Sequence, residues 1–213
     1  MKYKKTAIAV ITARSGSKRI KNKNIILFFG KPMIAHSIIC AKKSNLFSEI
    51  FVCTDSKKIK KISEQYGAKV PFLRSKKLSD DITGTHEVVK SFLINIGKKY
   101  SSTCCIYPTA PLMRHADLVK GYKKLQKNKL NYVFSANLSK KSDKKIIIRN
   151  KIKYTDSGQF YWGEHKTWLH NSKLLNKNSL IVKIPKIYAQ DLNTFEDLKV
   201  LKKNKTILQK KND

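Results

Sequence analysis

The chain has 213 residues, 41% of them hydrophobic, and 46 Lys and Arg against 14 Asp and Glu give it a net charge of +32. That length supports one sizeable core, so a single domain over residues 1–213 with a small appended lobe is expected. Only five of the basic residues are arginine (Arg14, Arg19, Arg74, Arg114 and Arg149), and the lysines spread over every segment without an aromatic stacking platform. That pattern excludes a dedicated nucleic-acid reader and leaves a general attraction to polyanions.

Ala7 to Thr12 reads as a short buried strand, and it runs into a loop, Ala13 to Asn24, with Gly16 and the cations Arg14, Lys18, Arg19, Lys21 and Lys23. Gly16 lets backbone N–H groups turn toward an anion, and the cations supply the charge a polyphosphate needs. Neither the Walker spacing nor the three-glycine dinucleotide fingerprint is present. The loop therefore points to a nucleoside triphosphate held by another fold, the plainer alternative being a solvated lysine-rich turn. Pro32 starts a helix with Met33, Ile34, Ile38 and Ala41 on one face, Ile50 to Thr54 forms a strand, and Ser56 caps a helix that Gly67 ends. Thr85 is expected to cap the next helix, followed by the strand Thr103 to Tyr107, the turn Pro108-Thr109-Ala110-Pro111, a helix over Arg114 to Lys127 and the strand Tyr132 to Ala136. Alternating strands and helices predict an α/β fold, a mostly parallel sheet with helices on both faces.

Beyond Asn137 the pattern changes. Ile146 to Ile148 and Ile152 to Tyr154 flank Arg149-Asn150-Lys151 and predict a hairpin, the place for a small lobe around 137–170. Gly158 to Trp162 and Ser179 to Ile184 read as further strands, Thr194 caps a last helix, and the tail after Lys202 is expected to fray. Cys40, Cys53, Cys104 and Cys105 form no C-x-x-C pair and read as buried thiols of a reducing compartment. Met1 to Lys5 followed by Ala7 to Ala13 only superficially resembles a signal peptide, and no apolar run reaches the ~18 residues of a membrane span. A soluble, cytoplasmic protein with no membrane partner is the expectation. His36, His86, His115, His165 and His170 show no metal-ligand spacing, and a Gly-x-Ser-x-Gly elbow is absent, which excludes that class of hydrolase.

Several segments, taken in order, resemble one family, the cytidylyltransferases that activate sialic-acid-like sugars, and most closely its pseudaminic-acid branch. They are Ala13-Arg14-Ser15-Gly16-Ser17-Lys18-Arg19 with Lys23-Asn24; Gly30-Lys31-Pro32-Met33-Ile34-Ala35; Thr54-Asp55; Tyr66-Gly67-Ala68; Pro71-Phe72-Leu73-Arg74; Leu78-Ser79-Asp80-Asp81 with Thr83-Gly84-Thr85; Tyr107-Pro108-Thr109-Ala110-Pro111-Leu112; Asp156-Ser157-Gly158-Gln159-Phe160-Tyr161-Trp162-Gly163; and Gln190-Asp191-Leu192-Asn193-Thr194. The resemblance runs nearly end to end. It implies a Rossmann-like nucleotidyltransferase fold, a homodimer, and a reaction in which a nine-carbon acidic sugar attacks CTP with Mg²⁺ assistance. The products would be pyrophosphate and a CMP-sugar for surface glycans or flagellin. It further implies that Arg14, Lys18 and Lys23, with Ser15, Gly16 and Ser17, hold the triphosphate, that Asn24 and Arg74 lie nearer ribose and cytosine, and that Thr83 and Tyr107 contribute to substrate binding. Arg74 has a second reading open, pairing with Asp80 or Asp81. Gln159, Tyr161 and Trp162 are available to line the acceptor pocket or to form a buried aromatic strand.

Two departures from the family pattern stand out. Where the family carries Asp-x-Asp as its metal ligands, this chain has Asp191-Leu192-Asn193, so one carboxylate becomes a neutral amide and Mg²⁺ should be held more weakly. The segment from Asn137 to Tyr154, which in the family helps hold sugar and build the dimer, is shortened. Another sialic-acid-like sugar as substrate, or a non-catalytic nucleotide-binding descendant, are the alternatives these departures motivate.

Overall fold

The computed structural model describes residues 7–98, 100–128, 132–139, 146–170, 173–176 and 178–211. The signal-like Met1 to Lys5 and the middle of the lysine-rich segment, 140–145, lie outside the described residues.

A seven-stranded sheet organises the chain, in the order β4, β1, β5, β8, β6, β9, with β7 added on β8. Its strands are β1 (Ala7–Thr12), β4 (Phe47–Cys53), β5 (Ser102–Ile106), β6 (Tyr132–Leu138), β7 (Ile147–Arg149), β8 (Ile152–Glu164) and β9 (Leu180–Lys183). Every strand but β8 runs the same way: β1 is parallel to β4 and β5, β6 is parallel to β9, and β8 is antiparallel to β5, β6 and β7. The chain leaves β1 toward β4 on one side and returns to β5 on the other, which opens a crevice at the carboxyl edge of β1. A small ribbon of β2 (Leu27–Phe28) and β3 (Lys31–Pro32) stands beside that edge.

Alternation along β1 sorts the core into two halves. Ala7, Ala9 and Ile11 face one apolar layer with Ile34 and Ile38 of α1 (Met33–Lys43), Ile59 of α2 (Lys57–Gln65), and Leu118 and Leu125 of α4 (His115–Asn128). Ile8 and Val10 face the other with Val88, Val89 and Phe92 of α3 (Thr85–Ile96) and Trp168 of α5 (His165–His170). A strand buried on both faces is what a continuous β-branched run builds in a parallel sheet. Leu192 and Leu201 form a third cluster with Phe28 and Met33 beneath α6 (Phe195–Gln209).

Several local expectations are met: Ser56 accepts from the Ile59 N–H at 3.3 Å, Gly67 follows α2 at φ +86°, and Thr194 and Asp197 form a capping box. Others are corrected. The N-cap of α3 is Gly84, because the Thr85 hydroxyl is engaged with the Tyr107 hydroxyl at 2.6 Å. The last helix does not fray at Lys202 but continues to Gln209, held by buried Leu201, by Leu208 against the third cluster and by Asn204 donating to the Ile187 carbonyl at 3.0 Å. The hairpin forms with a two-residue turn, Asn150 and Lys151 both at positive φ, yet its second arm and the strand from Gly158 are one continuous β8. The short α5 and the β2–β3 ribbon carry no clear periodicity that would announce them in the sequence.

Candidate active site

The crevice at the ends of β1 and β5 holds a cavity of about 280 Å³. Arg14, Lys23, Asn24, Arg74, Thr83, Tyr107, Asp191 and Asn193 all line it, together with Thr12, Asp80, Asp81, Thr85 and Thr109. These residues come from six separated stretches of chain, and the parallel topology gathers them at one sheet edge.

One wall is the cationic loop after β1. Asp55, just past β4, fixes its shape by accepting from the Ser15 amide at 2.7 Å and the Ser15 hydroxyl at 2.6 Å. From the other side buried Asn24 donates to the Arg14 carbonyl at 2.8 Å and leaves its own Oδ1 buried without a partner among the described residues. Arg14 reaches across the cavity mouth to the Asp81 carboxylate and to the Asp80 carbonyl at 3.0 Å, and Lys18 reaches the same Asp81 at 2.6 Å. Asp81 therefore does not pair with Arg74, and neither does Asp80, whose Oδ1 accepts from the Ile82 and Thr83 N–H groups at 3.0 and 2.7 Å. Arg74 instead donates Nε to the Ser79 hydroxyl at 3.0 Å and interacts with the Cys53 thiol, and one terminal nitrogen is buried with no hydrogen-bond partner of ordinary geometry among the described residues. A buried guanidinium nitrogen in that condition favours an incoming acceptor oxygen. Lys23 is half-buried, and burial, with Arg19 and Arg14 adding, lowers its pKa against the pull of Asp191.

The opposite wall is one carboxylate, partly covered as a residue but with its Oδ1 fully buried. Asp191 lies in the loop before α6, where the Leu192 N–H donates to the Thr109 carbonyl at 3.0 Å and pins that loop to the end of β5. Burial pushes Asp191 up to about 6, opposed by the Thr109 hydroxyl, the Lys23 ammonium and the Asn193 amide. Its Oδ2 accepts from Asn193 Nδ2 at 3.0 Å, and its Oδ1 is buried without a hydrogen-bond partner of ordinary geometry among the described residues. Among the described residues no three His, Cys, Asp or Glu side chains gather into a metal cluster. Asp191 could offer a cation one anionic oxygen, and the Asn193 carbonyl oxygen a neutral second.

Ser15, Gly16, Ser17 and Lys18 sit behind and beside the cavity and are absent from its lining. Gln159 and Tyr161 are also absent from it: Gln159 is fully buried and donates to the Tyr188 carbonyl, and Tyr161 donates to Asp156 at 2.5 Å inside the second core layer. Trp162 faces the opposite layer and donates to the Leu118 carbonyl at 3.1 Å, so it is a core residue. Sequence reasoning assigned no role to Asp55 or Thr109, and Asp80 and Asp81 entered only as partners of Arg74. The acidic pair four and five residues before the start of α3 was the available signal for Asp81.

The sequence model of the family described as Cytidylyltransferase matches residues 8–211. The chain belongs to that cytidylyltransferase family. This cytidylyltransferase is 33% identical over 218 aligned residues to a pseudaminic acid cytidylyltransferase of Campylobacter jejuni subsp. jejuni serotype O:2, covering 92% of this chain and 94% of that one. A CMP-N,N'-diacetyllegionaminic acid synthase of Legionella pneumophila subsp. pneumophila is 42% identical, over 51% of this chain and 50% of its own. Among solved structures, CMP:2-keto-3-deoxy-manno-octonic acid synthetase complexed with CTP superposes with a TM-score of 0.75 at 15% identity, covering 96% of this chain and 99% of that one, which establishes the shared Rossmann-like nucleotidyltransferase fold. No helix among the described residues is long and apolar enough to cross a membrane.

Proposed function

We propose that this cytidylyltransferase transfers CMP from CTP to a nine-carbon acidic sugar, pseudaminic acid foremost, and releases pyrophosphate. The observation that carries the reading is one cavity in which cations of the β1 loop face a buried carboxylate with an unpartnered oxygen. Attack of the sugar's anomeric hydroxyl on the α-phosphorus is chiefly a matter of positioning and of neutralising charge. Arg14 and Lys23 neutralise the phosphates, and Lys18 extends that field to the rim. Arg74 offers its free nitrogen, and Asn24 its free Oδ1, to ribose or cytosine.

The residues fit a divalent cation. The unpartnered Asp191 Oδ1 is a hard anionic oxygen already desolvated, and Asn193, its nitrogen committed to Asp191, has its carbonyl oxygen to offer. Bound Mg²⁺ would supply charge neutralisation along the triphosphate. Lys23, drawn electrostatically to Asp191, steadies the anionic form that such a cation needs.

The arm built by β7 and the start of β8 exposes Ile148, in register with Lys153, on one face, and Ile152 on the other, with half-exposed Leu138 of β6, in register with Tyr154, on the Ile152 side. A homodimer contact that embraces this arm would cover the exposed apolar side chains on both of its faces; Ile148→Asp together with Ile152→Asp should then shift the mass in solution from dimer to monomer. The reaction belongs in the cytoplasm, where CTP is available.

Pyrophosphate release from CTP and Mg²⁺ with pseudaminic, legionaminic and sialic acids tests the reaction and its acceptor together. Release fastest with pseudaminic acid is expected. Release with legionaminic acid alone would move the acceptor to the sugar of the Legionella relative. Silence with all three, despite measurable CTP binding, would replace the enzyme by a nucleotide-binding descendant.

A further inference from the structure

The strand β8 passes the active site with an irregularity that neither its hydrophobicity nor its length announces. Between the cross-strand pairs Phe134 with Tyr161 and Ala136 with Asp156, β6 contributes one residue, Ser135, while β8 contributes four, Ser157 to Phe160. Such a large bulge needs something to satisfy the backbone groups it detaches from the ladder. Ser135 does this with one fully buried hydroxyl. It accepts from the Gln159 N–H at 3.1 Å and the Phe160 N–H at 3.2 Å, and its own proton is directed at the Phe160 carbonyl at 3.5 Å. A hydroxyl has two acceptor sites and one donor, so all its capacity is committed to the bulge.

The bulge is also tied to the end of the neighbouring β5 and to its own strand. The Tyr107 N–H donates to the Gln159 carbonyl at 2.9 Å, and the Gly158 N–H donates to Asp156 Oδ1 at 2.9 Å. Its apex, Gly158, takes φ +59° and lies against the Asp191 carboxylate: a Cβ there would be 3.5 Å from Oδ2 and 3.7 Å from Cγ. On either side of Gly158, the Ser157 hydroxyl and Gln159 Oε1 are buried and unpartnered among the described residues, as is Asp191 Oδ1. Two unpartnered polar side chains therefore flank the glycine that abuts the Asp191 carboxylate, and the position of that glycine is set by the bulge.

We propose that Ser135, which has no place in the cavity lining, is a positioning residue: it sets the β8 bulge and through Gly158 fixes where the Asp191 carboxylate stands. The proposal rests on the proposed function in taking Asp191 as the cation ligand. A buried group that orients a ligand from behind is worth about 10- to 100-fold in metal affinity or activity.

Ser135→Ala removes the acceptor for both amides while keeping the chain's apolar volume. With Mn²⁺ as the probe, followed by electron paramagnetic resonance in the presence of CTP, affinity should weaken by about tenfold, with kcat falling at least as far while CTP binding stays within about threefold. Ser63→Ala is the matched control, since Ser63 is equally buried but donates to the Ile59 carbonyl at 2.7 Å on α2, away from the cavity. A Mn²⁺ affinity for Ser135→Ala equal to that of Ser63→Ala would overturn the proposal, and so would a loss of CTP binding as large as the loss of turnover. Should Ser135→Ala not fold, Gly158→Ala asks the same question from the apex, where an L side chain is strained at φ +59°; unchanged Mn²⁺ affinity there would also overturn it. Mn²⁺ binding requires no sugar. A wild-type protein that turns over none of the three acceptors would therefore sink the proposed function while leaving Ser135 to be decided by this measurement.

Discussion

The two walls of the cavity are built on opposite principles. The cationic wall is exposed and adaptable: Lys18 is 83% exposed, and Arg14 and Lys18 are both drawn onto Asp81 across the mouth. The carboxylate wall is buried and fixed, with Asp191 held between the Thr109 backbone, Asn193 and the Gly158 apex. Exposed charge meets a highly charged ligand cheaply because water has never fully left it, and each cation is worth little alone. A buried carboxylate is costly to hold as an anion, and that cost returns as strong, directed attraction for a cation.

If that contrast holds, the largest effect belongs to Asp191. Asp191→Asn should cut Mg²⁺-dependent turnover by ~10³-fold. It should also stabilise the metal-free protein. The Asp191 carboxyl titrates at about 6 in the fold against an ordinary value of 3.8, so the folded state binds the extra proton between those values, and stability falls as pH rises through that window. Removing the charge should return on the order of 2 kcal/mol above pH 7 and almost nothing at pH 4, as chemical denaturation at the two pH values would show. Equal stability of both proteins at pH 8 would break the contrast at its strongest point.

Lys23, half-buried between the two walls, comes next: Lys23→Ala should lower kcat/KM for CTP by ~10²-fold, read in steady-state pyrophosphate release. Asn193→Asp restores a second carboxylate to the buried wall and should tighten Mn²⁺ binding by roughly fivefold, with an unchanged titration isotherm as the contrary result. The smallest effect is expected at the exposed wall. Asp81→Asn releases Arg14 and Lys18 and should raise CTP affinity by about threefold at low salt, a gain that vanishes toward 0.5 M NaCl.

The same contrast explains what the sequence makes legible. Arg14 stands at the end of β1, Lys23 and Asn24 close the cationic loop that follows it, and Asp191 lies just before a well-capped helix, so locating those elements locates the residues. Arg74 and Thr83 come with them through the segments that follow β4. Gln159 and Tyr161 lie within a strand, β8, yet alternation alone places them wrongly. The bulge inserts extra residues between Asp156 and Tyr161, and its cause, the hydroxyl of Ser135, belongs to a strand more than twenty residues earlier. Long-range hydrogen bonds of that kind leave no local period. The antiparallel sense of β8 is hidden for the same reason, since a buried run of apolar residues reads alike in either direction. The lysines mislead differently: they dominate the composition, while among the described residues the cavity itself uses just one of them.

That antiparallel β8 has a consequence for how the chain comes to be folded. β5 pairs with β1 on one side and β8 on the other, and β8 lies some fifty residues downstream. During synthesis the first half can close β4, β1 and β5 and pack its helices, but β5 then presents a bare, apolar edge around Cys104 and Cys105 until Phe160 to Glu164 have emerged. An unpaired edge of that kind is where nascent chains pair with one another. The strand that carries the active-site bulge is thus also the one that closes the sheet, so a chain truncated before it should be prone to aggregation as well as inactive.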